Sequence, residues 1–266
     1  MPATTNWSCP MNVLYDQRPE GVAVITLNRP DALNSMDQAL RRELTTALMR
    51  ASHDKDVRVV VLTGAGRAFC SGTDLREAHE HKTIEDLVNV EYGGLIEMIT
   101  TMNKPVIAAV NGLATGVGVA FALACDLVVM GADAYLCSVF STIGLLPDGG
   151  LSVLLVRQLG YHRAYQLAIE AERIPAARCV ELGLANRLAA PDGVAAEAIE
   201  WAGRLAERAP LALSLTKQTF RAAHLNTLRA GIAQEAKLQD RAAASADFRE
   251  GVSALFEKRR PVFTGT

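Results

Sequence analysis

An α/β fold is what the sequence predicts, and three observations carry the prediction. Short apolar runs alternate with helical patterns through about residue 150. Two of these runs, "VRVVVLTG" (57–64) and "PVIAAV" (105–110), are almost continuous in small and β-branched residues, as expected of strands covered on both faces. Beyond residue 150 the pattern is helical, with only "LANRL" (184–188) reading as a short strand. The expected organisation is a βα-rich core over 1–205 followed by a helical region over 206–266.

Taken in order, "GVAVITLNRP" (21–30) predicts a strand stopped at Asn28 and Pro30. Residues 37–51 place Leu40, Leu44, Ala47, Leu48 and Ala51 at helical spacing. After the 57–64 strand, a more polar helical segment spans about 75–102, and the 105–110 strand follows. A small-residue helix is expected near 116–125, with strands at "DLVVM" (126–130) and "AYLCSV" (134–139). Helices are predicted near 151–160, 162–171, 176–182, 193–208, 210–222, 225–243 and 247–259. The last has Ser245 or Asp247 to cap its start, basic residues in its final turn and Pro261 to end it. No fixed repeat period, low-complexity tract or linker stands out.

Composition excludes several classes. Half the residues are hydrophobic and 21% are charged, with a net charge of -2 and scattered Lys and Arg, so nothing marks a nucleic-acid surface. Cys9, Cys70, Cys125, Cys137 and Cys179 show neither CxxC pairs nor a Cys/His ligand spacing; reduced thiols in a cytoplasmic protein without a structural metal are expected. The opening "MPATTNWSCP" lacks the basic and apolar regions of a secretory signal. Residues 105–131 are apolar enough to imitate a membrane span, but Asn111, Asp126 and three glycines interrupt them. Strand, turn, buried helix and strand is the expected reading, with no membrane association.

Two glycine-bearing loops follow strands: "GAGRAFCSGTDL" (64–75) and "NGLATGVGVAFA" (111–122), the second opening a helix. Each offers free backbone N–H groups, and two converging N–H groups would form an oxyanion hole. The alternative is tight helix packing alone. A dinucleotide site is not indicated, because the G-x-G-x-x-G spacing is absent. In "GLLPDGGLS" (144–152), Asp148 stands between an apolar turn and a helix start. It is either an N-cap or a base made stronger by desolvation from Phe140, Leu145, Leu146 and Pro147. His79 and His81 are expected to face solvent on the polar helical stretch.

The two loops, together with "NRPDALNSM" (28–36), "STIGLLPDGG" (141–150) and "FEKRRPVF" (256–263), resemble the enoyl-CoA hydratase/isomerase (crotonase) superfamily in order and spacing from Val22 to Phe263. The resemblance implies a spiral of ββα units and a helical C-terminal trimerisation region, giving a homotrimer or a dimer of trimers. It also implies an acyl-CoA thioester substrate, coenzyme A being part of the substrate and no further cofactor being needed. By position, the thioester oxygen lies between the amides of Thr73 and Val117, where Ala and Gly are common in the family. Substrate-binding positions are Ser71, Gly72, Asp74, Leu75, Gly116, Phe140 and Pro147. The strip around Arg29, Ala32 and Leu33 resembles the part that holds the coenzyme A adenine and phosphates. Lys258 resembles the cation near the 3′-phosphate, or is a helix-end cation balancing the dipole.

Family hydratases supply two Glu residues, at positions occupied here by Ala120 and Phe140. Neither side chain transfers a proton. Asp148 matches the position at which some isomerases carry their acid. The expected reaction is a 3-enoyl to 2-enoyl double-bond shift by one carboxylate. Two alternatives stand beside it: hydration with a second acid from the 77–97 segment, Glu91 or Glu97, and an acyl-CoA-binding protein without catalysis.

Overall fold

Through the middle of this chain successive strands alternate between two sheets, and that alternation builds the site. The computed structural model describes residues 11–77 and 83–266. In order the elements are β1 (Val13–Arg18), β2 (Val22–Leu27), α1 (Gln38–His53), β3 (Val59–Gly64) and β4 (Ala68–Cys70). Next come α2 (Ile84–Asp86), a π-helical turn (Leu87–Tyr92), α3 (Gly93–Thr101), β5 (Val106–Val110), β6 (Leu113–Thr115) and α4 (Val117–Ala124). β7 (Leu127–Gly131), β8 (Tyr135–Cys137), a 3-10 turn (Val139–Ile143), α5 (Leu151–Leu159) and α6 (Tyr161–Glu170) follow. The chain continues through β9 (Ile174–Pro175), α7 (Ala176–Glu181), β10 (Arg187–Ala189) and α8 (Val194–Ala206) to α9 (Pro210–Ala223), α10 (Leu228–Ala243) and α11 (Ala246–Glu257).

The larger sheet has the order β1-β2-β3-β5-β7-β10, parallel except for the β1–β2 hairpin. The smaller sheet has the order β4-β6-β8-β9, with β4, β6 and β8 parallel. Each pair β3–β4, β5–β6 and β7–β8 therefore spends one strand in each sheet before a helical segment, the ββα turn of a spiral. One such turn accounts for the membrane-like run 105–131, which folds as β5, β6, α4 and β7. No helix among the described residues is long and apolar enough to cross a membrane.

Burial explains the strands. All six residues of β3 and all five of β5 are buried. On one face of the large sheet, Val59, Val61, Ile107 and Ala109 meet Val194, Ala198, Ala202 and Ala206 of α8, a small-residue stripe that lets the helix lie close. On the other face α1 buries Leu40, Leu44, Ala47, Leu48 and Ala51, the stripe expected from its spacing. Asp37 caps α1 by accepting from Leu40 N–H at 2.7 Å. Ser245 caps α11 through Phe248 N–H at 3.0 Å.

The structure departs from sequence expectation in places. Among its described residues the 75–102 segment is not one α-helix: Ile84–Asp86 is α-helical, Leu87–Tyr92 has π geometry and Gly93–Thr101 is α-helical again. The strand expected over 134–139 stops at Cys137, and the piece expected at 184–188 pairs as Arg187–Ala189. No basic residue lies in the last turn of α11; Lys258 is its left-handed C-cap. Strands β1, β4, β6 and β9 were not anticipated. Cys70, Cys125, Cys137 and Cys179 are buried free thiols, whereas Cys9, His79 and His81 lie outside the described residues.

Candidate active site

The two glycine loops leave the same edge of the small sheet and touch through backbone. β4 ends at Cys70 and β6 at Thr115, so the loops that follow are neighbours. Gly72 has φ +100, and a Cβ there would sit 3.0 Å from Thr115 O and 3.5 Å from Gly116 Cα. Glycine permits both the backbone angle and the contact.

Peptide planarity then aims two N–H groups. Gly72 O accepts from Met36 N–H at 2.8 Å, so the Thr73 N–H of the same trans peptide points away from Met36. Gly116 O accepts from Val119 N–H at 3.1 Å, inside the first turn of α4, so Val117 N–H points out of the helix start. Neither amide has an acceptor among the described residues. Thr73 and Val117 line one pocket of about 120 Å³ together with Asp148. Ser71, Gly72, Leu75, Gly116, Phe140 and Leu145 also line it, as do Ile84, Leu87, Val139 and Ile143.

Asp148 does not cap α5. The N-cap is Gly150, at φ 77, and no side chain caps that helix. Asp148 Oδ1 is buried without a hydrogen-bond partner. Desolvation raises its carboxyl from the ordinary 3.8 to about 6. Next to it Gly149 has φ +59, and a Cβ there would lie 2.9 Å from Val117 Cγ2 and 3.3 Å from Ala120 Cβ. That close approach seats Asp148 against the start of α4.

Other expected site residues lie elsewhere. Pro147, expected among the substrate-binding residues, does not line the pocket, and Leu146, expected to desolvate the carboxylate, is 76% exposed. Asp74 is buried outside the lining, where it accepts from Arg76 Nε at 2.9 Å, Ser35 Oγ at 3.2 Å and Arg29 at 3.2 Å. Side-chain bonds from Arg76 lead the effects that push its carboxyl well below the usual range. Arg29 is committed to Asp37 at 2.8 Å, Asp74 and Ser35 O. Its guanidinium therefore serves the loop rather than standing open to a phosphate. Ala32 and Leu33 are half-buried beside the pocket, Leu33 O accepting from Ser71 N–H at 3.0 Å. Lys258 is exposed at the end of α11 and does not join the pocket within one chain.

Neither candidate second acid reaches the pocket lining. Glu91 pairs with the buried guanidinium of Arg41, and Glu97 is exposed on α3. Among the described lining residues Asp148 is the one carboxylate. Sequence reasoning missed Tyr92, whose buried hydroxyl donates to Thr73 Oγ1 at 2.8 Å. It also missed Asn34, whose side-chain amide donates to Ala65 O and Ala68 O at 3.0 and 2.7 Å. An Asn in a turn-forming stretch signals local bonding, not these long-range partners.

Comparison with known proteins identifies the family. The family model described as enoyl-CoA hydratase/isomerase matches residues 17–266. A "Probable enoyl-CoA hydratase" of Rhodobacter capsulatus is 46% identical over 92% of this chain and 95% of its own length. The "1,2-epoxyphenylacetyl-CoA isomerase" of Escherichia coli is 38% identical over 96% of this chain and 99% of its own. The crystal structure of an enoyl-CoA hydratase from Bacillus anthracis superposes with a TM-score of 0.92 at 32% identity, covering 96% of this chain and 100% of that one. With its ββα spiral and crotonase-fold neighbours, this chain belongs to the enoyl-CoA hydratase/isomerase family.

Proposed function

We propose that the protein isomerises 3-enoyl-CoA to 2-enoyl-CoA, with Asp148 carrying the proton. The observation that bears most weight is the single lining carboxylate, partly buried, with an unpartnered oxygen beside two unengaged amides. Asp148 takes a proton from C2, and the C–H electrons form the C1=C2 bond of a dienolate. The negative thioester oxygen sits against Thr73 N–H and Val117 N–H, a helix start whose dipole favours it. The same carboxyl returns the proton at C4, so the double bond ends between C2 and C3. Atoms and charge balance within the substrate, and no redox or metal step is required.

Leu75, Ile84, Leu87, Phe140, Ile143 and Leu145 line the pocket with apolar surface that suits an acyl chain. The coenzyme A moiety is assigned to the Arg29–Leu33 strip, through its backbone and apolar atoms, with Lys258 supplied by a neighbouring subunit. A trimeric assembly or a dimer of trimers fits the exposure of Phe220 (72%) on α9, Leu225 (78%) in the turn after it and Leu228 (82%) on α10, and the cytoplasm is the proposed location.

Hydration of a 2-enoyl-CoA is the second reading, favoured by the printed names of relatives such as the one from Rhodobacter capsulatus. The test is incubation with 3-hexenoyl-CoA and, separately, with crotonyl-CoA, following the absorbance of the conjugated thioester. Conjugated product from 3-hexenoyl-CoA, lost in Asp148→Asn, supports isomerisation. Loss of crotonyl-CoA absorbance without any 3-hexenoyl-CoA turnover overturns it in favour of hydration.

A further inference from the structure

We propose that Tyr92 is a positioning residue for the thioester site, its hydroxyl holding Thr73 so that the Thr73 amide faces the substrate oxygen. The proposal rests on the reading of Thr73 and Val117 as the donors to that oxygen. Tyr92 closes the π-helical turn Leu87–Tyr92, and such turns concentrate at functional sites. Its ring is fully buried, edge-on to Phe121 at 6.3 Å and beneath Arg41, whose Cζ lies 5.8 Å from the ring centroid. From that fixed platform the phenol donates to Thr73 Oγ1 at 2.8 Å. Burial also pushes the phenol up, so it remains a donor through the working pH range.

A second brace reaches the same loop from the neighbouring residue of the turn. Glu91 pairs with Arg41, Arg41 Nη1 donates to Met36 O at 2.8 Å, and Met36 O also accepts from Asp74 N–H at 3.2 Å. With Met36 N–H bonded to Gly72 O, the peptides on both sides of Thr73 are tied to Met36. Main-chain bonds therefore fix the strand direction at Thr73. Tyr92 ties its side chain, so the residue that carries the donor N–H is held from a third direction. The π turn serves both braces: it presents Glu91 to Arg41 and Tyr92 to Thr73 while Leu87, its first residue, lines the pocket. A threonine where an alanine would supply the same amide acquires a purpose, since only the hydroxyl gives Tyr92 something to hold.

The test uses Tyr92→Phe, Thr73→Val, the double variant and Asp148→Asn, with two readouts. One is the absorption band of a para-aminocinnamoyl-CoA thioester, which moves red when donors polarise its carbonyl. The other is kcat and KM for 3-hexenoyl-CoA. Wild type and Asp148→Asn should shift the band, and Tyr92→Phe and Thr73→Val should each diminish the shift. Each should lower kcat about 3–10-fold with little change in KM, as expected for one hydrogen bond acting through geometry. The double variant should be no worse than either single one. The proposal is overturned if Tyr92→Phe keeps the full band shift and kcat, if its only effect is a lower Tm, or if the two substitutions multiply. A wild-type protein that binds the probe without shifting its band instead refutes the donor reading itself, so the two failures are distinguishable.

Discussion

Replacing Asp148 by Asn should abolish the proposed isomerisation and make the protein more stable near neutral pH. The folded state holds this carboxyl at about 6 against an ordinary 3.8, with desolvation as the cause. A folded-state value above the unfolded one means that the native protein binds the proton more tightly. The stabilising contribution is therefore present below about 4 and is lost as pH rises through about 6. Above that range the ionised group costs stability. The full interval corresponds to about 3 kcal/mol, and solvent screening at this partly exposed site leaves about 1–2 kcal/mol. Asn keeps the shape and never ionises. Differential scanning calorimetry at pH 7.5 should show Asp148→Asn melting about 2–8 °C above wild type. That gain should shrink toward pH 4. Activity on 3-hexenoyl-CoA should fall by at least about 10³-fold, because in the proposed reaction one group makes both proton transfers. A variant that loses stability together with activity would mean that Asp148 is a structural residue, and a variant that keeps activity would remove it from the chemistry.

Two further outcomes follow from the same geometry. For the wild type, kcat/KM should rise with pH through about 6 and then level, because only the ionised carboxylate accepts a proton; a profile flat from pH 5 to pH 8 would contradict this. Gly149→Ala should lower kcat about 100-fold with coenzyme A binding retained, since its Cβ meets Val117 Cγ2 at 2.9 Å from a backbone at φ +59 and displaces the adjacent Asp148; an unchanged kcat would show that the Asp148 position is not critical.

Legibility in the sequence followed burial and length. β3 and β5 are buried along their whole length, so their apolar runs announce them. α1 carries a clean helical stripe and was legible to within two residues. β4 and β6, at three residues each, are too short to show a period, yet they bring the two glycine loops together. β1 was hidden because its exposed residues Asp16, Gln17 and Arg18 break the alternation. At the candidate site, Thr73, Val117 and Asp148 were expected from motifs in fixed order, and all three line one pocket. What no motif names is the support. Arg29 pairs with Asp74 and Arg41 with Glu91 across long stretches of sequence, and local patterns carry no record of such partners. Tyr92 was obscured for a different reason: the π turn shifts the face that each residue presents, so helical periodicity misplaces it.

The spiral itself explains why the site has this form. Parallel strands in one sheet lie about 4.8 Å apart, so the segments leaving β4, β6 and β8 emerge side by side at one edge. The first supplies the Thr73 amide, the second the Val117 amide, and the third leads through Phe140 to Asp148. Two of the three contributions are main chain, indifferent to most substitutions, whereas the proposed base is a side chain. Proline separates these roles because it deletes an N–H. Val117 is the first residue of α4, where proline is well tolerated in helices, and the preceding Gly116 imposes no Cβ clash. Val117→Pro should therefore fold, bind acyl-CoA and lose about 10²–10³-fold in kcat, the usual cost of one oxyanion donor. Val117→Ala, which keeps the N–H and removes only methyl groups, should stay within about tenfold of wild type. If the proline variant folds with kcat intact, the helix start does not hold the substrate oxygen, and the carboxylate would be acting on a carbon acid acidified by something else.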